Sequence, residues 1–137
     1  MLNNELFNQE EIIELGASLR PIGQRLLKQS HKDGVTRVWY QGEEPYFDIF
    51  FDVKDDEIIW FQLTLRGKCL SWDSRGKGFK TGTTNELLID DVSFYAASKT
   101  IEADKNADWE FIEVVKLILQ SRNEEPVFSK ALLLFEQ

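Results

Sequence analysis

Between Arg66 and Thr84 the chain sets five basic side chains, Arg66, Lys68, Arg75, Lys77 and Lys80, among Gly67, Gly76, Gly78 and Gly82, with Thr81, Thr83 and Thr84 close behind. Glycines let backbone amides approach an anion closely, and lysine and arginine supply charge. The chemistry this pattern suits is the binding of a phosphate- or carboxylate-bearing ligand, with Arg66, Lys68, Arg75, Lys77, Lys80, Thr81 and Thr83 as contacts. A nucleotide-binding loop would need lysine directly after its last glycine, then serine or threonine opening a helix. Here Thr83 follows Gly82, so that motif is absent. The competing reading is a solvated hairpin whose charges discourage edge-to-edge pairing. Residues 66–80 hold five basic and one acidic side chain, whereas 1–65 hold six and twelve and 81–137 hold five and eleven.

A second constellation is aromatic and acidic. From Val35 onward apolar residues recur with a period of two, the signature of strands with one buried face. If an odd-numbered loop, Asp55 to Glu57, joins two strands, then Phe47, Ile49, Phe51 and Val53 share a face with Ile59, Phe61, Leu63 and Leu65. A two-residue Arg66-Gly67 turn adds Leu70 and Trp72 to that side. The opposite side collects Tyr46, Asp48, Phe50, Asp52, Trp60, Gln62, Thr64, Cys69, Ser71 and Asp73. Asp52, Trp60 and Asp73 fall in one row, and strands about 4.8 Å apart put the two carboxylates about 10 Å from each other, too far to share a metal ion. A tryptophan flanked by carboxylates suits a cationic side chain or a sugar ring. Tyr46, Phe50, Asp52, Trp60 and Asp73 are therefore the candidate partner-binding residues. Under the competing reading, a helix or the tail covers this face and its aromatics form a second small core. The odd-numbered loop carries one difficulty, since it asks for a positive φ at Glu57, where glycine or asparagine is preferred.

Covalent chemistry has little to work with. Cys69 and His31 are the single cysteine and histidine, and a nucleophile–base pair would require the fold to bring them together. His31, among Ser30, Lys32 and Asp33, reads as a structural residue at a helix end. The acidic pairs Asp55-Asp56, Asp90-Asp91 and Glu124-Glu125 lack calcium-loop spacing, and neighbours on a strand point to opposite faces. No metal site, cofactor or catalytic residue is assigned, and the reading leans away from an enzyme.

These residues need a scaffold. The 137 residues fit one domain, and 42% apolar with 12% aromatic content is enough to bury a core. Asn8 with Glu11 reads as a capping box opening a helix. Ile12, Leu15, Leu19, Ile22 and Leu26 then recur at spacings of three and four, with Pro21 predicting a kink or two successive helices and Gly34 the end. The meander follows, with turns at Gly42–Pro45, Asp55–Glu57, Arg66-Gly67 and Ser74–Gly78. Phe79 to Thr84 reads as a strand, and residues 90–100 as either strand or helix, with strand preferred. Asp108 caps a helix whose buried stripe is Phe111, Val114, Val115, Ile118 and Leu119, ended before Pro126. The tail, Ala131 to Phe135, is too apolar to be left in water and is expected to dock, as a short helix in preference to a strand. The expected fold is thus a single α+β domain, residues 1–137: a helix kinked near Pro21, an antiparallel meander of five to six strands, a C-terminal helix and a docked tail. Periodicity leaves open whether the sheet forms a two-layer sandwich or closes into a barrel.

Composition bounds the partners. A net charge of −8 disfavours nucleic acid and anionic membrane surfaces and favours a basic protein. One cysteine fits a reducing compartment. The start of the chain lacks the pattern of a signal peptide, and no run approaches the length of a membrane span, which together predict a cytoplasmic protein. The expected function is a non-enzymatic protein-binding module of the adaptor, assembly-factor or immunity type acting through the acidic, aromatic sheet face, with a homodimer as a sub-case. The alternative is a small-molecule-binding domain or small enzyme using the basic segment 66–84.

Overall fold

The computed structural model describes residues 8–23, 34–76, 78–84 and 101–136, the side chains of 101 and 102 excepted. Leu26, His31, Lys77 and the strand expected at 90–100 lie outside the described residues.

Helix α1 (Gln9–Ser18) opens as its sequence predicts, with Asn8 Oδ1 accepting from Glu11 N at 2.7 Å. Ile12, Leu15 and Leu19 are buried. The kink expected near Pro21 does not occur, because α1 has already ended; the other expectation, a second helix after Pro21, falls mostly on residues 24–33, outside the described residues. The residue before a proline, here Arg20, is pushed to extended backbone, and the chain is already extended one residue earlier, at Leu19 with ψ 130. Arg20–Pro21 forms the short strand β1, pairing with Gln41 and Tyr40 of β2 (Thr36–Gln41). Proline is tolerated there because an edge strand wastes no ladder donor. Gly34, with φ +77, precedes β2 and does not close α1.

Strands β3 (Asp48–Lys54), β4 (Glu57–Leu65), β5 (Lys68–Asp73), β6 (Phe79–Thr84) and β7 (Ile101–Ala103) follow. Each pairs antiparallel with its chain neighbour, giving a seven-stranded sheet in the order β1 to β7. The β4–β5 turn is the two-residue Arg66-Gly67 link, with φ 52 and 82. The β3–β4 turn corrects the sequence reading. Asp55 (φ 52) and Asp56 (φ 68) form a two-residue turn, and Glu57 joins the ladder opposite Lys54. The odd residue moves into the strand as a bulge, since Asp52 pairs with Trp60 while Val53 pairs with Ile58. Ile58, not Ile59, is therefore buried on the core side. This arrangement spares Glu57 a positive φ, which short polar residues such as aspartate adopt more readily.

Beyond the bulge the faces separate as the alternation requires. Phe47, Ile49, Phe51, Phe61, Leu63, Leu65 and Leu70 are at most 1% exposed and form the core side. Helix α2 (Trp109–Gln120) lays Phe111, Ile112, Val114, Val115, Ile118 and Leu119 into the core, capped by Asp108 as expected. The apolar tail docks as helix α3 (Pro126–Leu134), with Pro126 in its first turn and Phe128 and Ala131 fully buried. Among the described residues the sheet runs from β1 to β7 without closing and the helices stack on one side, an α+β arrangement of two layers.

Arg122, in the α2–α3 turn, binds these layers together. Its Nη1 donates to the carbonyls of Gly16 (2.8 Å) and Leu19 (2.7 Å) at the end of α1. Its other nitrogens pair with Glu124 and Glu125, and Glu125 accepts from the Tyr40 hydroxyl at 2.8 Å. The last carbonyls of α1 carry no basic side chain from their own turn, so Arg122 supplies the cap from across the chain. Its side chain is only 16% exposed. We expect Arg122→Ala to cost about 3 kcal/mol, read from the midpoint of urea unfolding, because it leaves carbonyls and carboxylates without their donor. Burial, and then the bond to Glu125, pushes the Tyr40 hydroxyl up to about 12. A raised acidity constant means stability fully present below the unfolded value near 10 and lost as pH rises toward 12. Tyr40→Phe should abolish this alkaline component in pH-dependent unfolding.

Candidate functional site

The outer sheet face carries the predicted row and extends it by one strand. Register places Asp52 beside Trp60 and Trp60 beside Asp73, and β2 adds Arg37 beside Asp52. The Arg37 guanidinium grips Asp52 with both arms, Nε to Oδ1 at 2.8 Å and Nη2 to Oδ2 at 3.0 Å. It also lies over two rings, 5.2 Å from the centre of Trp60 and 5.7 Å from that of Phe50. Phe50 in turn stacks on Trp39 at 5.2 Å with only 12° between planes. A bidentate ion pair between aromatic faces is stronger than a loose surface pair, because geometry is fixed and water is partly excluded. The bond from Asp52 holds Arg37 above its usual range. On the same face, Trp39 Nε1 is buried with no hydrogen-bond partner among the described residues.

At the end of this row a cleft of about 550 Å³ opens between Arg37, Asp52 and Trp60 on one side and Asp73, Ser74 and Arg75 on the other. Ile59, turned out by the bulge, lines it too. Asp73 is kept anionic below the usual carboxylate range, first by the amide of Arg75 and then by its side chain. The Arg75 contacts are long, 3.4 and 3.5 Å, and its side chain is 88% exposed.

Of the five partner-binding candidates, Phe50, Asp52, Trp60 and Asp73 come together. Tyr46 does not. It sits at φ 63 before the opposite end of β3, where its carbonyl accepts from the Thr64 hydroxyl at 3.1 Å. That hydroxyl also lies 2.8 Å from Asp48 Oδ1, in a buried row with Cys69. Arg37 and Trp39 are additions that sequence reading missed. Their signal is the alternation of Arg37, Val38, Trp39 and Tyr40, which fixes a face once β2 is paired with β3.

The basic segment is contiguous in sequence and dispersed in space. Arg66, at one end of β5, binds Glu44 and Glu11 at 2.6 to 3.0 Å, and these bonds, that to Glu44 first, raise its basicity. Arg75 lies beyond the other end of β5. Lys68 faces the helices and meets Asp108 at 2.9 Å. Burial works against the Asp108 charge, yet Lys68 and the amide of Phe111 hold it below its usual range. Thr81 donates to Asp104 at 2.7 Å and accepts from Asp108 N at 2.9 Å, pinning the approach to α2. Lys80, paired with Ser71, is exposed on the outer face, and Thr83 is exposed between Lys68 and Glu102. The described residues thus do not converge on one anion.

Among the described residues no cluster of three or more histidine, cysteine or acidic side chains is placed to hold a metal ion, and no helix is long and apolar enough to cross a membrane. Compared with protein-family models, curated proteins and solved structures, the chain shows no match. The row itself is open to test. Arg37→Ala should destabilise by about 1 kcal/mol in urea unfolding, the scale of a partly exposed bidentate pair with ring contacts.

Proposed function

We propose that the chain is a non-enzymatic protein-binding module, of the adaptor, assembly-factor or immunity type, that receives a basic partner segment on its outer sheet face. The observation that carries this reading is the row Arg37, Asp52, Trp60, Asp73 with its adjoining cleft. Asp52 is fully engaged by Arg37 and fixes that side of the platform. Asp73 accepts the Arg75 amide at 2.8 Å, but its side-chain contacts to that exposed arginine are long, and a partner's lysine or arginine beside the Trp60 ring can replace the side-chain contacts at little cost. The net charge of −8 favours the same class of partner over long range. A single cysteine, with which no intrachain disulfide can form, supports a reducing, cytoplasmic setting.

Affinity capture from the native lysate, followed by titration of the retained protein, tests the reading. Trp60→Ala should weaken that complex by at least about fivefold, the range of an aromatic anchor. Equal retention by Trp60→Ala and Phe50→Ala would remove the face from consideration. In the homodimer sub-case the partner is a second copy, which light scattering excludes by returning the mass of one chain.

A second reading, a small anionic ligand, draws on the cleft volume of about 550 Å³ and on Arg37, Lys54 and Arg75 in its walls. Of the basic segment's described residues only Arg75 lines this cleft. Under this second reading, phosphates, nucleotides or dicarboxylates would raise the melting temperature at millimolar concentration; under the first they leave it unchanged.

A further inference from the structure

The β5–β6 turn, Ser74 to Gly78, separates the polar cleft from a second concavity on the helix side of the sheet. This groove, about 520 Å³, is walled by Trp72 and Phe79 from the strands, Leu134 and Phe135 from the end of α3, and Trp109 from the start of α2. Its floor is aromatic and packed: Phe79 and Phe135 lie 4.5 Å apart between ring centres, and both meet Phe61 at 6.3 Å. Its lip is not. Trp109 is 70% exposed, and its neighbours in α2, Phe111 and Ile112, carry the helix's packing without it. An exposed tryptophan over an apolar floor places costly surface in water, and such rings are over-represented among the anchors of protein interfaces.

Charge identifies what the groove would accept. Glu110 follows Trp109 and Glu136 follows Phe135, both exposed. The last turn of α3, which forms one wall, contains no basic residue, so the negative pole of that helix is uncompensated from within. Two of the hairpin's described cations are directed elsewhere. Lys80 shares the register of Ser71 on the outer face, and Lys68 is held by Asp108.

We propose that this groove is a second docking surface, taking from a partner protein an apolar side chain flanked by lysine or arginine. The proposal rests on the protein-binding reading above but not on the outer face, and the two fail separately.

The test uses the full chain labelled with nitrogen-15, and two blocked tripeptides as probes, acetyl-Arg-Leu-Arg-amide and acetyl-Glu-Leu-Glu-amide. The four tryptophan indoles report position. The basic peptide should shift the Trp109 and Trp72 indole resonances saturably at millimolar concentration, whether or not Trp60 also moves, and the acidic peptide should shift neither Trp109 nor Trp72. Trp109→Ala should weaken the basic peptide by about fivefold or more, and the exposure of that ring means the variant keeps its fold. Equal response to both peptides, no saturable shift, or a shift confined to Trp60 would overturn the groove. In the last case the outer face alone is the docking surface. Conversely, response at Trp109 with unchanged partner capture by Trp60→Ala and Phe50→Ala would retain the groove and remove the face.

Discussion

The architecture depends on one guanidinium. Arg122 reaches the final carbonyls of α1 from more than a hundred residues away, and the same group orients Glu125 toward Tyr40 on β2. Each partner is a polar group that the fold takes out of water, so any of them left alone would carry a desolvation penalty. The network lets α1 stop at Ser18 without a glycine cap and lets the chain swing directly into β1. It also requires close approach of α1 and α2. Gly16 permits it, because a Cβ there would overlap the Ser121 hydroxyl. Arginine is suited to this place and lysine is not, since a planar fork can serve two carbonyls and a carboxylate at once.

The bulge at Ile59 has a comparable role on the other side of the molecule. Two aspartates in the turn take the positive φ values, and the residue thereby left over is absorbed one turn into β4. Ile58 enters the core and Ile59 moves to the outer wall, next to Trp60. The local twist that accompanies a bulge coincides with the place where the row of charges ends and the cleft begins. The bulge thus builds the cleft while preserving every core contact beyond it.

Much of this was legible in the sequence because its cause is local. The Asn8 and Asp108 caps, the α2 stripe and the faces of β3 to β5 follow from spacing and short-range hydrogen bonding. The end of α1 was misread because its apolar stripe continues in register through Leu19 and Ile22, while the backbone preference before Pro21 overrides it. The odd loop was misread because both arrangements place Phe61, Leu63 and Leu65 on the core face and differ only in the exchange of Ile59 for Ile58 and in their φ requirements. The basic segment misled for a different reason. Contiguity in sequence suggested one site, but a strand alternates its faces and a turn reverses its direction, so Arg66, Lys68 and Lys80 ended at different surfaces, the first two with different acids. The aromatic groove was invisible, since Trp72, Phe79, Trp109 and Phe135 meet through tertiary contacts alone.

The strand order has a temporal side. In a sheet where every strand pairs with its neighbour in the chain, β2 to β6 can form hairpin by hairpin as they are synthesised, with little loop closure to overcome. Helix α1 has no such neighbour. Its apolar residues pack against α2, and its carbonyls wait for Arg122, so α1, though made before α2, is seated only once α2 has formed. Until then Ile12, Leu15 and Leu19 present an uncovered stripe on the nascent chain, the kind of surface that chaperones recognise and that aggregates if held open.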